Sequence, residues 1–201
     1  MADHYFSDTP SGADERRTLQ VRLAGRDVEV VTATGVFSGG HVDLGTRVLL
    51  RAAPAPPSEG HLLDLGCGWG PLALAMALQS PAATVWAVDV NERALTLTRE
   101  NAERLGCENV RAVTPEHVPD DVRFAALWSN PPIRIGKQAL HDLLAFWLPR
   151  LTDDGEAHLV VQRNLGADSL TAWLGEALPA MESRKTSSAK GFRVIRTAYR
   201  G

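Results

Sequence analysis

Apolar and polar residues alternate along 18–23 and 27–32, on either side of Ala24-Gly25-Arg26, which predicts a β-hairpin. Phe37-Ser38-Gly39-Gly40 and Asp43-Leu44-Gly45-Thr46 follow, leading into a short helix predicted over 48–51. Residues 52–60, rich in proline and alanine, read as a linker. The rhythm then changes. Strand-length apolar runs at 61–65, 84–90, 110–113, 124–129 and 158–162 are interleaved with helical patterns at 71–79, 92–105, 136–151 and 168–178. Pro71 suits a first helical turn, Asn91 suits an N-cap, and Gly106 suits a C-terminal stop. Residues 182–187 and 192–199 close the chain as a second hairpin around Ala189-Lys190-Gly191. Alternating strands and helices predict a parallel sheet covered by helices on both faces, and two successive strands at the end predict a final antiparallel one. The expected division is an N-terminal extension, 1–57, and a main domain, 58–201.

Composition narrows the class without changing this picture. In 201 residues, 44% hydrophobic and 22% charged is the balance of a soluble globular protein. No run approaches the roughly 20 apolar residues of a membrane-spanning helix, and the polar segment 1–17 does not read as a secretory signal. Two cysteines, Cys67 and Cys107, make no disulfide framework, so a reducing cytoplasmic setting is expected. The six histidines are scattered without ligand spacing, and no metal is expected. A net charge of −3 argues against a protein that coats nucleic acid, yet no acid follows Glu182 while Arg184, Lys185, Lys190, Arg193, Arg196 and Arg200 are all basic. On its own, that basic ending fits a solvated strand face as well as a binding surface.

Chemistry concentrates in three segments. Asp64-Leu65-Gly66-Cys67-Gly68-Trp69-Gly70 follows an apolar strand and opens a helix. Glycines there allow a tight turn and close approach of a ligand to the main chain. The spacing Gly-x-Gly-x-Gly, with an acid two residues before it, differs from the Gly-x-Gly-x-x-Gly of dinucleotide loops. A carboxylate beside the loop would repel a pyrophosphate and suits a ligand carrying an ammonium and a sulfonium. Asp89 ends the next strand, close to the spacing of about 20 residues at which an acid meets ribose hydroxyls, and with Val90 and Asn91 it forms the second candidate. Asp89 also fits a helix-capping role, and the two are compatible. The third is Asn130-Pro131-Pro132-Ile133, where two prolines fix the backbone as it leaves a strand. There the Asn130 amide oxygen and the Pro131 carbonyl are placed to accept from one exocyclic amine, favouring a more tetrahedral nitrogen whose lone pair is aimed at a methyl group.

Taken as a set, these segments resemble the motifs of class I methyltransferases. More narrowly, the chain resembles the small-ribosomal-subunit guanine-N2 methyltransferases, the 16S rRNA methyltransferase C group. Gly35-Val36-Phe37-Ser38, Asp43-Leu44-Gly45-Thr46 and Leu49-Leu50 look like that group's lead-in. Asn130 to Lys137 resembles its single-domain members, and Lys190-Gly191-Phe192-Arg193-Val194-Ile195 its last hairpin. The likeness runs from about residue 18 to the end. It implies a Rossmann-like α/β fold: a seven-stranded, mostly parallel sheet with a reversed last strand, here extended by an N-terminal β-hairpin. It also implies S-adenosylmethionine as methyl donor, S-adenosylhomocysteine as product, and a guanine amine in ribosomal RNA or the small subunit as acceptor. On this reading Asp64, Gly66, Cys67, Gly68, Trp69, Gly70, Asp89, Val90, Asn91 and Glu116, with Asn130, hold the donor, Trp69 covering it. Asn130 to Ile133 carry the catalysis, and Phe37, Arg134, Lys137, Lys185, Lys190 and Arg193 meet the substrate. A monomer or small homo-oligomer is expected.

The sequence departs from the group in four places. A second, N-terminal copy of the domain, present in some relatives, is not in this sequence, so RNA binding is expected to rest on this domain or on assembly. Thr114-Pro115-Glu116 puts a proline where an acid commonly meets the adenine amine, leaving Glu116 displaced. Phe124-Ala125-Ala126 lacks the aspartate usual before the Asn-Pro-Pro segment, and Ile133 has no ring to stack on a base. Competing readings are methylation of adenine N6 or a protein glutamine, a silent RNA-binding module that kept the fold, and a nicotinamide dehydrogenase. A hydrolase built on Ser38 and His41 lacks the Gly-x-Ser-x-Gly turn.

Overall fold

A computed structural model describes residues 15–36 and 41–201. Strands β1 (Arg16–Leu23) and β2 (Arg26–Ala33) pair antiparallel as the predicted hairpin, closed by Ala24 and Gly25 at φ 48° and 76°. Positive φ at both central residues gives the turn a twist that matches its strands. Then come α1 (Leu44–Ala52), β3 (His61–Leu65), α2 (Pro71–Gln79), β4 (Thr84–Val88), α3 (Glu92–Arg104), β5 (Val110–Val113) and β6 (Phe124–Ser129). The chain ends with α4 (Lys137–Trp147), β7 (Leu151–Gln162), α5 (Ala167–Ala177), β8 (Met181–Ala189) and β9 (Phe192–Tyr199). The main sheet has seven strands in the order β5-β4-β3-β6-β7-β9-β8, parallel except for β9, which runs against both its neighbours. No helix among the described residues is long and apolar enough to cross a membrane.

Alternation along the strands builds two cores. Leu62 and Val160 face one side, with α1, α2, α3 and the hairpin; Leu63, Leu65, Leu159 and Val161 face the other, with α4 and α5. Helix α2 is apolar all round, and every residue from Pro71 to Ala77 is buried. A helix of that composition needs cover on each flank. It lies against β3, β4, α1 and β1, so the hairpin joins the same core as the main sheet.

Several predicted boundaries shift. Helix α1 begins at Leu44 rather than residue 48, because the Asp43 carboxylate caps the backbone N–H groups of Gly45 and Thr46 at 2.7 and 3.2 Å. Strand β4 ends at Val88 rather than residue 90, where Asp89 turns to accept from main-chain amides. The helix expected over 136–151 covers only Lys137–Trp147, followed by a short 3₁₀ turn at Pro149. Strand β7 starts at Leu151 and not at residue 158; its pairing with β6 jumps from Phe124↔Leu151 to Ala126↔Glu156. Gly155 makes that irregularity possible, since a Cβ there would stand 2.6 Å from the Phe124 carbonyl.

One buried side chain fastens the hairpin to the rest. Asn101, fully buried on α3, accepts from Val31 N–H at 2.7 Å and donates to the carbonyls of Val31 and Trp69 at 2.8 and 3.0 Å. Asn101→Ala strands three buried backbone groups, so a loss of about 3 kcal/mol in unfolding free energy is expected. Urea unfolding of the variant measures it; a loss below about 1 kcal/mol would mean that these bonds are readily replaced by water.

Candidate active site

The parallel strands deliver their carboxyl ends to one edge of the sheet, and the three sequence motifs meet there. Asp43, Thr46, Asp64, Gly66, Gly68 and Asn130 are among the residues lining a cleft of ≈ 340 Å³ that opens to solvent.

Its floor is the loop between β3 and α2. Gly66, Gly68 and Gly70 all have positive φ, at 76°, 58° and 92°. At Gly70 space is also decisive, because a Cβ would lie 2.9 Å from Thr98. Thr98, buried on α3, holds the loop from below by donating its hydroxyl to the Gly68 carbonyl at 2.9 Å. The amides of Gly66 and Cys67 donate to the Val88 carbonyl, and Gly68 N–H donates to Asp89 Oδ2 at 2.9 Å. Asp89 Oδ1 takes the Asn91 amide at 3.0 Å, and Asn91 in turn caps α3. Asp89 therefore ties together the two turns at the ends of β3 and β4, of which the first lines the cleft.

Asp64 is the electrostatic centre of the floor. It is 1% exposed, and its Oδ2 accepts from Ala73 N–H, in the first turn of α2, at 2.8 Å. Its Oδ1 is buried with no hydrogen-bond partner. Burial pushes the carboxyl up to about 8, the Ala73 amide opposes that, and the charge of Asp89 adds to it. Burial also raises Asp89, against the pull of the Asn91, Gly68 and Val90 amides. A pocket that disfavours two carboxylates is suited to a cationic ligand, whose charge would hold both ionised. The Cys67 thiol, pushed up chiefly by burial, is no nucleophile here.

Asn130 leaves β6 on the opposite wall. Its amide nitrogen donates to Asp43 Oδ2 at 2.8 Å and to Thr46 Oγ1 at 3.1 Å. The Pro131 carbonyl already accepts from Ile133 N–H at 2.8 Å, so one lone pair remains to it. Ser129 anchors the strand end by donating to the Leu65 carbonyl at 2.6 Å. Ile133, half-buried, packs toward the core of α4 and α5.

Other candidates fall less neatly. Trp69 is among the residues lining the cleft, and at 1% exposure it also packs in the core with the hairpin and α3. Glu116 sits exposed on a 3₁₀ turn after β5, its carboxyl lowered first by the Thr114 hydroxyl. Lys137 is exposed at the start of α4, and Lys190, at φ 50°, forms the exposed tip of the β8–β9 hairpin on the cleft edge. Lys185 and Arg193 do not stand unpartnered: both meet Asp168 Oδ1 at 2.6 Å. Phe37 lies outside the described residues, and Arg134 follows Ile133 in the turn before α4. Sequence reading missed Asp43, Thr46, Thr98 and Asn101. The last two carried one visible signal, polar residues inside the apolar stripe of α3.

Sheet order, reversed strand, glycine turn and strand-end acid together define a Rossmann-like α/β methyltransferase. The chain belongs to the methyltransferase small domain family, which it matches over residues 27–196. It is 36% identical to the uncharacterized protein YbxB of Bacillus subtilis, over 98% of each chain. It is 34% identical to a ribosomal RNA small subunit methyltransferase C of Ectopseudomonas mendocina, over 89% of this chain and 53% of that one. Among solved structures, the 16S rRNA guanine-N2 methyltransferase of Thermus thermophilus, in complex with AdoMet and guanosine, superposes with a TM-score of 0.77. It is 25% identical and covers 95% of this chain and 52% of that one. The chain thus spans about half the length of the rRNA methyltransferases it matches.

Proposed function

We propose that the protein transfers a methyl group from S-adenosylmethionine to the exocyclic N2 amine of a guanine in small-subunit ribosomal RNA. The observation that carries the reading is the cleft itself: a buried, partnerless Asp64 oxygen on one wall and an Asn130 amide fixed on the other. The residues present fit the donor. Asp64 would face its cationic portion, the loop from Gly66 to Gly70 would pass beneath it, and Asp89 would meet its ribose while keeping Gly68 and Asn91 in place. Val90 would border the adenosine, and Glu116 stands close to that side in sequence order. When bound, S-adenosylmethionine supplies an electrophilic methyl carbon on a sulfonium. The chain's own part is to orient the acceptor. With its nitrogen end held by Asp43 and Thr46, Asn130 offers Oδ1 to an amine hydrogen, and the remaining lone pair of the Pro131 carbonyl takes the other. Transfer to that nitrogen would leave S-adenosylhomocysteine, and the amine proton would pass to water. Lys137 and Lys190 would meet backbone phosphates, with Arg134 a further candidate from its place in the sequence. Lys185 and Arg193 would do so in exchange for Asp168.

Support for guanine comes from the T. thermophilus relative, whose structure holds guanosine, and from Ile133, which offers no stacking ring for an adenine. The test is incubation with methyl-labelled donor and undermodified small-subunit RNA, free and in subunits, followed by mapping. Label at a guanine N2 is expected. Label at adenine N6, on a protein glutamine, or nowhere would replace this reading with one of its rivals.

A further inference from the structure

We infer that Asp43 and Thr46 act as positioning residues that fix which end of the Asn130 amide faces the cleft. The inference rests on the proposed methyl transfer for its kinetic meaning, though its structural part stands alone.

An asparagine side chain is nearly symmetric in shape, and its terminal torsion is soft, so packing alone does not choose between oxygen and nitrogen. Here chemistry chooses. The Asp43 carboxylate can only accept, and it lies 2.8 Å from the Asn130 nitrogen. Turning the amide over would set oxygen against oxygen at that distance. Thr46 Oγ1, at 3.1 Å, takes the second amide hydrogen. With both N–H bonds spoken for, Oδ1 is left on the far side of the amide, as an acceptor for an amine requires.

The orienting groups come from the lead-in helix and not from the strand that carries Asn130. Asp43 Oδ2 simultaneously caps Gly45 and Thr46, so one oxygen serves the start of α1 and the catalytic amide. Gly45 is part of the device. A Cβ there would press on Asp43 Oδ2 at 2.9 Å and on the Phe192 ring at 2.9 Å, so any larger residue must displace the carboxylate or the helix. The sequence Asp43-Leu44-Gly45-Thr46 thus supplies a cap, a gap and a second acceptor within one helical turn.

The test separates positioning from folding. D43S keeps an N-cap but is too short to reach Asn130, and T46V keeps the buried volume without the acceptor. Both are expected to lower kcat by 10- to 100-fold, leaving acceptor KM and donor Kd within about threefold and the melting temperature close to wild type; T46S restores kcat. In protein labelled with ¹⁵N-asparagine, the Asn130 side-chain protons exchange faster with solvent in D43S and T46V than in wild type. Unchanged kcat in T46V, a loss expressed only in KM, or unchanged Asn130 exchange each overturns the inference. The exchange arm needs no methyl acceptor, so it decides the matter even if the guanine reading fails.

Discussion

Asp64→Asn is expected to remove measurable binding of S-adenosylmethionine while making the ligand-free protein more stable at pH 8. Both effects share one cause. The Asp64 carboxyl is buried, pushed up to about 8 from an ordinary 3.8 by desolvation first, and has one oxygen without a partner. The folded chain therefore holds this proton more tightly than the unfolded chain. Stability from the neutral carboxyl is complete below about pH 4 and is lost as pH rises through about 8, at no more than about 1.4 kcal/mol per pH unit. Asparagine keeps the Ala73 bond and never ionises, so the slope should disappear. Urea midpoints of the two proteins should be similar near pH 4 and diverge by pH 8, with the variant ahead. Binding shows the reverse face of the linkage. A cationic ligand favours the ionised acid, so affinity should rise up to about tenfold from pH 6 to 7, with close to one proton released. It should flatten near 8, where an α-amine begins to lose its own proton. Titration calorimetry in two buffers of different ionisation heat counts that proton. Equal urea midpoints at pH 8, or no proton release, would relieve Asp64 of this role.

Asn130→Ala should separate chemistry from donor binding. The side chain contacts α1 through its nitrogen, and under the proposed function only its oxygen would meet the acceptor. A preorganised hydrogen-bonding group lost from a polar transition state costs on the order of 10²–10³ in rate. We expect kcat to fall by about that factor, donor Kd to stay within about threefold, and thermal stability to change little, since Asn130 is only half-buried. Single-turnover transfer at saturating donor is the appropriate measurement. A variant that loses donor affinity in proportion to rate would place Asn130 in the donor site instead.

Much of the site was legible because its motifs are local. A glycine turn between strand and helix, an acid ending the next strand, and an Asn-Pro-Pro exit each declare themselves within a few residues, and parallel pairing brings such strand ends to one edge. The groups that hold those motifs in place were not legible, because their partners are remote in sequence. Asn101 reaches Val31 and Trp69, Thr98 reaches Gly68, and Asp43 reaches Asn130, all through tertiary packing. The burial of Trp69 was not legible for a related reason: position in a ligand loop fixes the backbone but not which way the ring turns, and the ring packs in the core under the hairpin. The start of β7 was hidden by Thr152-Asp153-Asp154-Gly155, a turn-like string that folds as an irregular strand because Gly155 nestles against the Phe124 carbonyl.

The oily helix α2 has an implication for how the molecule can vary. Its flank away from the sheet is waterproofed by the first hairpin, whose own outward residues are mostly exposed and polar. Stripped of that cover, the segment that positions the glycine turn would present bare leucine, methionine and alanine to solvent. Substitutions that loosen the hairpin of β1 and β2 should therefore be felt as weakened grip on the donor, a long way from any atom that touches it.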